Sequence, residues 1–138
     1  MPRLAANLSM LFTEVEFLDR FAAAAKAGFR YVEYQFPYQW PADELALRAR
    51  EAGVGVVLHN LPAGDFAKGE RGIACLPGRE HEFRAGVERG IEYAKAVGCG
   101  RVNCLAGLAP PEGRHFEVLV ENVRYAAREL GAAGLSLT

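Results

Sequence analysis

The sequence predicts an α/β fold on a parallel sheet, and two observations carry that prediction. Apolar segments of about five residues alternate four times with amphipathic segments of about fourteen, and a fifth apolar segment begins at the end. The short segments are almost continuously apolar, as strands are when helices cover both faces of a parallel sheet.

Residues 4–9 (LAANLS) form the first expected strand, with Asn7 inside it. Residues 15–27 then follow helical spacing. Val15, Leu18, Phe21, Ala22 and Ala25 share one face, while Asp19, Arg20 and Lys26 lie on the other. Thr13 is suited to cap this helix and Gly28 to end it. Residues 31–35 (YVEYQ) carry β-branched and aromatic residues at strand spacing. Pro41 opens a second helix running to about Ala52, where Gly53 supplies the C-terminal cap. Residues 55–60 (GVVLHN) are the third strand.

A glycine-rich connection follows over residues 61–78, interrupted by Pro62 and Pro77 and carrying Asp65, Lys68, Glu70 and Arg71. Connections of this length inside compact domains are commonly binding loops. Residues 79–97 form a third helix with Phe83, Val87, Ile91 and Ala94 inward and Glu88, Glu92 and Lys95 in solvent. Residues 101–107 (RVNCLAG) are the fourth strand, and Pro110-Pro111 breaks the chain after it. A fourth helix over 115–130 turns Leu119, Val123, Ala126 and Leu130 inward, and residues 135–138 begin a fifth strand. Both an open doubly wound sheet and part of a closed (β/α)8 barrel accept this order.

Composition narrows the function classes. At 138 residues and 51% hydrophobic, the chain has one domain's worth of core. Sixteen Lys and Arg against seventeen Asp and Glu leave a net charge of −1. That balance argues against a nucleic-acid partner, which draws affinity from a basic surplus. No apolar run approaches the roughly 18 residues that span a bilayer, so no membrane partner is expected. The N-terminus lacks the apolar stretch of a secretory signal. Cys75, Cys99 and Cys104 are odd in number and form no CxxC pair, which fits reduced thiols and a cytoplasmic location.

Ligands of parallel α/β folds bind at the carboxyl ends of the strands, so polar residues there are informative. Asn7, Asn60 and Asn103 can hold a hydroxylated or carbonyl substrate. Each can equally satisfy a neighbouring turn. Glu33 is the only acid in any expected strand, suited to a substrate contact or to a structural hydrogen bond. His59 neighbours Asn60 and points the opposite way, as a packing residue. His81 and His115 fall near helix starts, in solvated or capping positions. The histidines show no HxH or HExxH spacing, so no metal site is legible. In the long loop Arg71 is the first candidate to grip a substrate carboxylate, because a guanidinium can do so in a bidentate way; Lys68 and Arg79 rank lower. The acids Glu80, Glu82, Glu88 and Glu92 read as a solvated helix face.

Several stretches resemble the hydroxypyruvate isomerase family, within the xylose isomerase-like TIM barrels. They are LAANLSMLFTE at the start, FPY at 36–38, HNLPAGD at 59–65, KGERGIACLPGRE at 68–80, RVNCLAG at 101–107 and VENVRYAAREL at 120–130. The most specific is GERGIACLPGRE, a long irregular loop rather than a hydrophobic pattern. The resemblance implies the N-terminal half of a (β/α)8 TIM barrel, with four βα units and the start of a fifth strand, as a single partial domain.

It also implies an isomerase of carbohydrate metabolism. Such an enzyme interconverts hydroxypyruvate and tartronate semialdehyde, or a related oxo-tetronate, by proton transfer between adjacent carbons. A divalent metal, Mg²⁺ or Mn²⁺, is expected for the full-length parent and none for this chain alone. The family's catalytic and metal-binding glutamates are expected beyond Thr138, so no catalytic or metal residue is carried over and the chain alone is expected to be inactive. Asn103 stands where the family commonly has histidine, and Phe66 where tryptophan is common. Substrate contacts therefore rest on Asn7, Glu33, Asn60, Arg71 and Asn103, with a small hydroxy-oxo acid as the expected partner. Two other readings follow from the same sequence. One is a fragment of an abasic-site endonuclease barrel, and the other a non-enzymatic half-barrel forming a homo-oligomer through open sheet edges.

Overall fold

Apolar strands and amphipathic helices alternate as the sequence predicts, and the computed structural model describes residues 2–138. The strands are β1 (Ala5–Asn7), β2 (Tyr31–Glu33), β3 (Gly55–Asn60), β4 (Arg101–Asn103) and β5 (Ser136–Leu137). The helices are α1 (Arg20–Lys26), α2 (Ala42–Ala52), α3 (Glu80–Val97) and α4 (Gly113–Ala132). The strands follow one another in a single sheet in chain order, the succession that repeated right-handed βα units produce. Among the described residues no helix is long and apolar enough to cross a membrane.

Two compact units share these elements. The first comprises residues up to His59 together with Glu92–Arg101, and the second comprises Asn60–Ile91 with Val102–Thr138. In the first, β1 and β2 pair in parallel with Ala5 opposite Tyr31 and Asn7 opposite Glu33. β2 pairs in parallel with β3, and a register shift between Val32 and Glu33 brings Glu33 opposite Leu58. Phe17, Phe21, Val32, Tyr34, Leu45 and Val56 are buried here. Phe17 is their aromatic hub, stacked on Trp40 at 4.1 Å between centroids and edge-on to Phe21 and Tyr34. Burying one such ring stabilises the fold by roughly 1.5–3 kcal/mol.

The first helix is shorter than its periodicity implies. A single 3-10 turn covers Phe17–Asp19 before α1 begins at Arg20, and Thr13 caps neither. The Arg20 side chain explains the break: its Nε donates to the Val15 carbonyl at 3.1 Å and its Nη1 to the Leu8 carbonyl at 2.8 Å. The Asp19 amide turns back to Glu16 instead. Helix α2 ends as expected, with Gly53 at φ +67°, a conformation in which a side chain is strained.

In the second unit the Thr138 amide donates to the Val102 carbonyl and the Cys104 amide to the Thr138 carbonyl, the slanted pattern of a parallel ladder. Leu61, Ile73, Phe83, Val87, Val102, Val118, Ala126 and Leu130 are buried. β4 stops at Asn103 rather than 107, because Ala106 leaves the parallel ladder for an isolated antiparallel bridge to Gly72.

Candidate functional site

Strand ends set the geometry in each unit. In the first, Asn7 and Glu33 are the half-buried last residues of β1 and β2 and lie opposite each other. Asn7 Nδ2 donates to Glu33 Oε1 at 3.0 Å, and its Oδ1 accepts the Ser9 amide at 3.0 Å, which fixes the orientation of the amide group. Ser9 Oγ in turn accepts the Gln35 amide at 2.8 Å, stitching the segments after the two strands together. His59 is fully buried, with its ring stacked against Tyr34 and edge-on to Tyr38, and its Nδ1 lies 3.4 Å from the Tyr38 hydroxyl. It is the packing residue its strand position implies.

In the second unit Asn60 ends β3 and Asn103 ends β4. Asn103 Nδ2 donates to Asn60 Oδ1 at 3.0 Å, and the Leu61 amide donates to the Asn103 carbonyl at 2.7 Å. The connection after β3 is ordered by charge. Asp65 caps a 3-10 turn at Phe66–Lys68, accepting the Lys68 amide and pairing with its ammonium. Glu70 accepts the Asp65 amide and pairs with Arg79, which also binds Glu82. The Lys68 side chain holds the Asp65 carboxyl below its usual range, and Arg79 does the same for Glu70 and Glu82. Arg79, outside α3 by one residue, is thus committed to two carboxylates, and Glu82 is more than part of a solvated face.

Arg71 is held differently. Its guanidinium lies 3.8 Å from the centre of the Phe66 ring, and its Nη1 donates to the carbonyls of Phe66 and Glu70 at 3.1 and 2.8 Å. Among the described residues it pairs with no carboxylate. The result is an oriented, exposed cation whose charge is uncompensated.

The segment following Arg71 is clamped residue by residue. Gly72 donates to the Ala63 carbonyl and bridges Ala106, and the Cys75 amide donates to the Ala106 carbonyl at 2.8 Å. Asn122 Nδ2, from the buried face of α4, donates to the Ala74 carbonyl at 2.9 Å. His115 Nδ1 lies 3.0 Å from the Cys75 carbonyl, a contact that needs the proton on Nδ1. Gly72 sits at φ +111°, and a Cβ there would fall 2.1 Å from the Leu105 carbonyl oxygen, so no side chain fits. Sequence reasoning missed Asn122 and gave His115 only a capping or solvated role. The signal for Asn122 is its place in the four-residue rhythm Val118, Asn122, Ala126, Leu130.

Among the described residues no group of three or more His, Cys, Asp or Glu side chains could hold a metal ion. The donors among the described residues do not fit a divalent metal centre.

The parallel sheet in chain order, with helices between its strands, makes this a parallel α/β chain, a class whose ligands commonly bind at strand C-termini. The chain belongs to the xylose isomerase-like TIM barrel family, whose model matches residues 21–138. It is 53% identical to hydroxypyruvate isomerase of Escherichia coli over 94% of this chain and 52% of that protein. It is 45% identical to 2-oxo-tetronate isomerase of Haemophilus influenzae over 99% of this chain and 54% of that protein. A solved structure from Brucella melitensis described as an AP endonuclease of family 2 covers 99% of this chain and 54% of its own, at 44% identity and a TM-score of 0.95. The chain thus spans about half the length of the curated relatives it matches. Its four βα units and fifth strand, in parallel sequential order, are the repeat of the TIM barrel.

Proposed function

We propose that this chain supplies substrate-holding residues of a hydroxypyruvate isomerase-type enzyme acting on hydroxypyruvate or a related oxo-tetronate. The observation that carries the proposal is Arg71, oriented by two carbonyls and an aromatic ring yet paired with no carboxylate. Such a cation suits the carboxylate of a small hydroxy-oxo acid. Within the second unit Asn60 and Asn103 offer amide groups suited to hydroxyl and carbonyl oxygens, and within the first Asn7 and Glu33 offer an amide and a carboxylate. The isomerisation removes a proton from C3 of hydroxypyruvate and returns one at C2, while the hydroxyl proton passes from O3 to O2. In this reading the groups that move these protons, and any divalent metal, would come from the part of the relatives' length that this chain does not span. The chain by itself then binds substrate without turning it over. Its three free thiols fit a cytoplasmic setting.

The name of the Brucella structure raises an abasic-site reading, but a net charge of −1 lacks the overall basic surplus from which duplex DNA binding draws its affinity. Assembly of copies through the first and last strands of the sheet is a separate reading, tested by concentration-dependent sedimentation.

Titration calorimetry with hydroxypyruvate tests the main proposal. Arg71→Gln is expected to weaken binding roughly ten- to hundredfold, the worth of a hydrogen-bonded charge. Unchanged affinity in Arg71→Gln overturns the role of Arg71, and isomerisation by the chain with added Mg²⁺ or Mn²⁺ overturns its inactivity.

A further inference from the structure

The first unit carries a concentration of positive charge that the isomerase reading does not use. In the β1–β2 register Ala5 lies opposite Tyr31, two residues before Asn7 and Glu33, and alternation puts each residue on the same face as its partner two positions on. The opposite end of the strands from the amides therefore has its own lining. A half-open cavity of about 390 Å³ lies there, bounded by Arg3, Ala5, Tyr31, Val57 and Arg101. Two of these five are arginines and none is an acid. Arg3 Nη1 is 3.4 Å from the Tyr31 hydroxyl, and its guanidinium lies 5.8 Å from the centre of that ring. An adjoining concavity of about 370 Å³ shares Arg3 and Tyr31 and adds Arg30. Among the described residues none of Arg3, Arg30 and Arg101 forms an ion pair.

Among the described residues six ion pairs engage five other arginines and lysines, whereas no acidic residue lines either of these two concavities. Like charges converging on one concavity repel, and an anion between them removes that repulsion while accepting several N–H donors. We propose that the Arg3–Tyr31–Arg101 cavity is an oxyanion site for a phosphate group, either inorganic phosphate or the phosphoryl group of a small metabolite. Tetrahedral oxygens can accept from both guanidiniums at once and from the Tyr31 hydroxyl, which a single planar carboxylate does less completely. The site is separate from Arg71 and stands whether or not Arg71 grips a substrate carboxylate.

The test is a titration of the full chain at low ionic strength, followed by ¹H–¹⁵N NMR, with inorganic phosphate in one arm and 3-phosphoglycerate in the other. Saturable shifts centred on the amides of Arg3, Tyr31 and Arg101 are expected, and the spectrum itself reports that each variant is folded. Arg3→Gln with Arg101→Gln is expected to weaken binding by at least about tenfold, while Arg71→Gln leaves these shifts unchanged. Equal affinity in the two arms identifies free phosphate as the ligand chemistry, and tighter binding of the organic phosphate identifies a metabolite. No saturable shift, shifts centred elsewhere, or equal affinity in the double variant overturns the proposal.

Discussion

Replacing Asn122 by leucine removes one hydrogen bond and tests how the loop that carries Arg71 is held. Asn122 is 2% exposed and donates from Nδ2 to the Ala74 carbonyl at 2.9 Å, and Ala74 is itself fully buried. Leucine is close to asparagine in volume, so the dominant loss is electrostatic: a carbonyl desolvated in the folded state with no donor. Such an orphaned acceptor costs about 1–3 kcal/mol. Near the middle of that range the folded-to-unfolded ratio drops by roughly thirtyfold, and a chain of this size melts roughly 5–10 °C lower. Urea unfolding at constant m-value measures the loss as a shifted midpoint. The Cys75 amide, bonded to Ala106 next to the site of change, should exchange its hydrogen faster than the amides of β1–β2. A stability loss below about 0.5 kcal/mol, the scatter of neutral surface changes, would refute the clamp as a source of order.

Three other outcomes follow from the same geometry. Gly72→Ala combines a strained φ with a Cβ 2.1 Å from a backbone oxygen, and should cost more than about 3 kcal/mol; a melting temperature within a degree of the parent would contradict it. Asp65, Glu70 and Glu82 have carboxyls held below their ordinary range, so their contribution is complete above a pH of about 5 and is lost as pH falls through the lowered folded values. Amide exchange over residues 65–72 should accelerate in that acid window ahead of global unfolding, and uniform loosening would count against the network. Burial pushes the Cys104 thiol up to about 11. Its alkylation at pH 8 should therefore run on the order of a hundredfold slower than that of a free thiol, as mass spectrometry of iodoacetamide-treated protein would show.

Periodicity found what periodicity encodes. Helix α2 and strand β3 match their expected bounds, because Gly53 and the apolar run of β3 state them locally. Helix α1 begins later than its apolar spacing suggests, since the Arg20 side chain takes the Val15 carbonyl, a choice no hydrophobic pattern records. Asn7 pairing with Glu33, and Asn60 with Asn103, could be guessed only as polar residues at strand ends, because their partners lie 26 and 43 residues away. Arg71 and Arg79 look alike in sequence and differ in the structure by their neighbours: two carboxylates meet one, and a ring and two carbonyls meet the other. Asn122 was missed because the expected inward face of the fourth helix ran through Leu119 and Val123, whereas the buried face of α4 is Val118, Asn122, Ala126 and Leu130.

The bridge between Gly72 and Ala106 has a consequence for engineering. The loops after β3 and β4 are sewn together at this point, where glycine is required at Gly72 on one side and a Cβ on Gly107 would fall 2.7 Å from the Cys75 sulfur on the other. Transplanting either loop alone from a relative would set two mismatched halves of a seam against each other. The smallest exchangeable cassette is both loops together with the first turns of α4, which bring His115 and Asn122, so new specificity on this scaffold has to be grafted as a matched set.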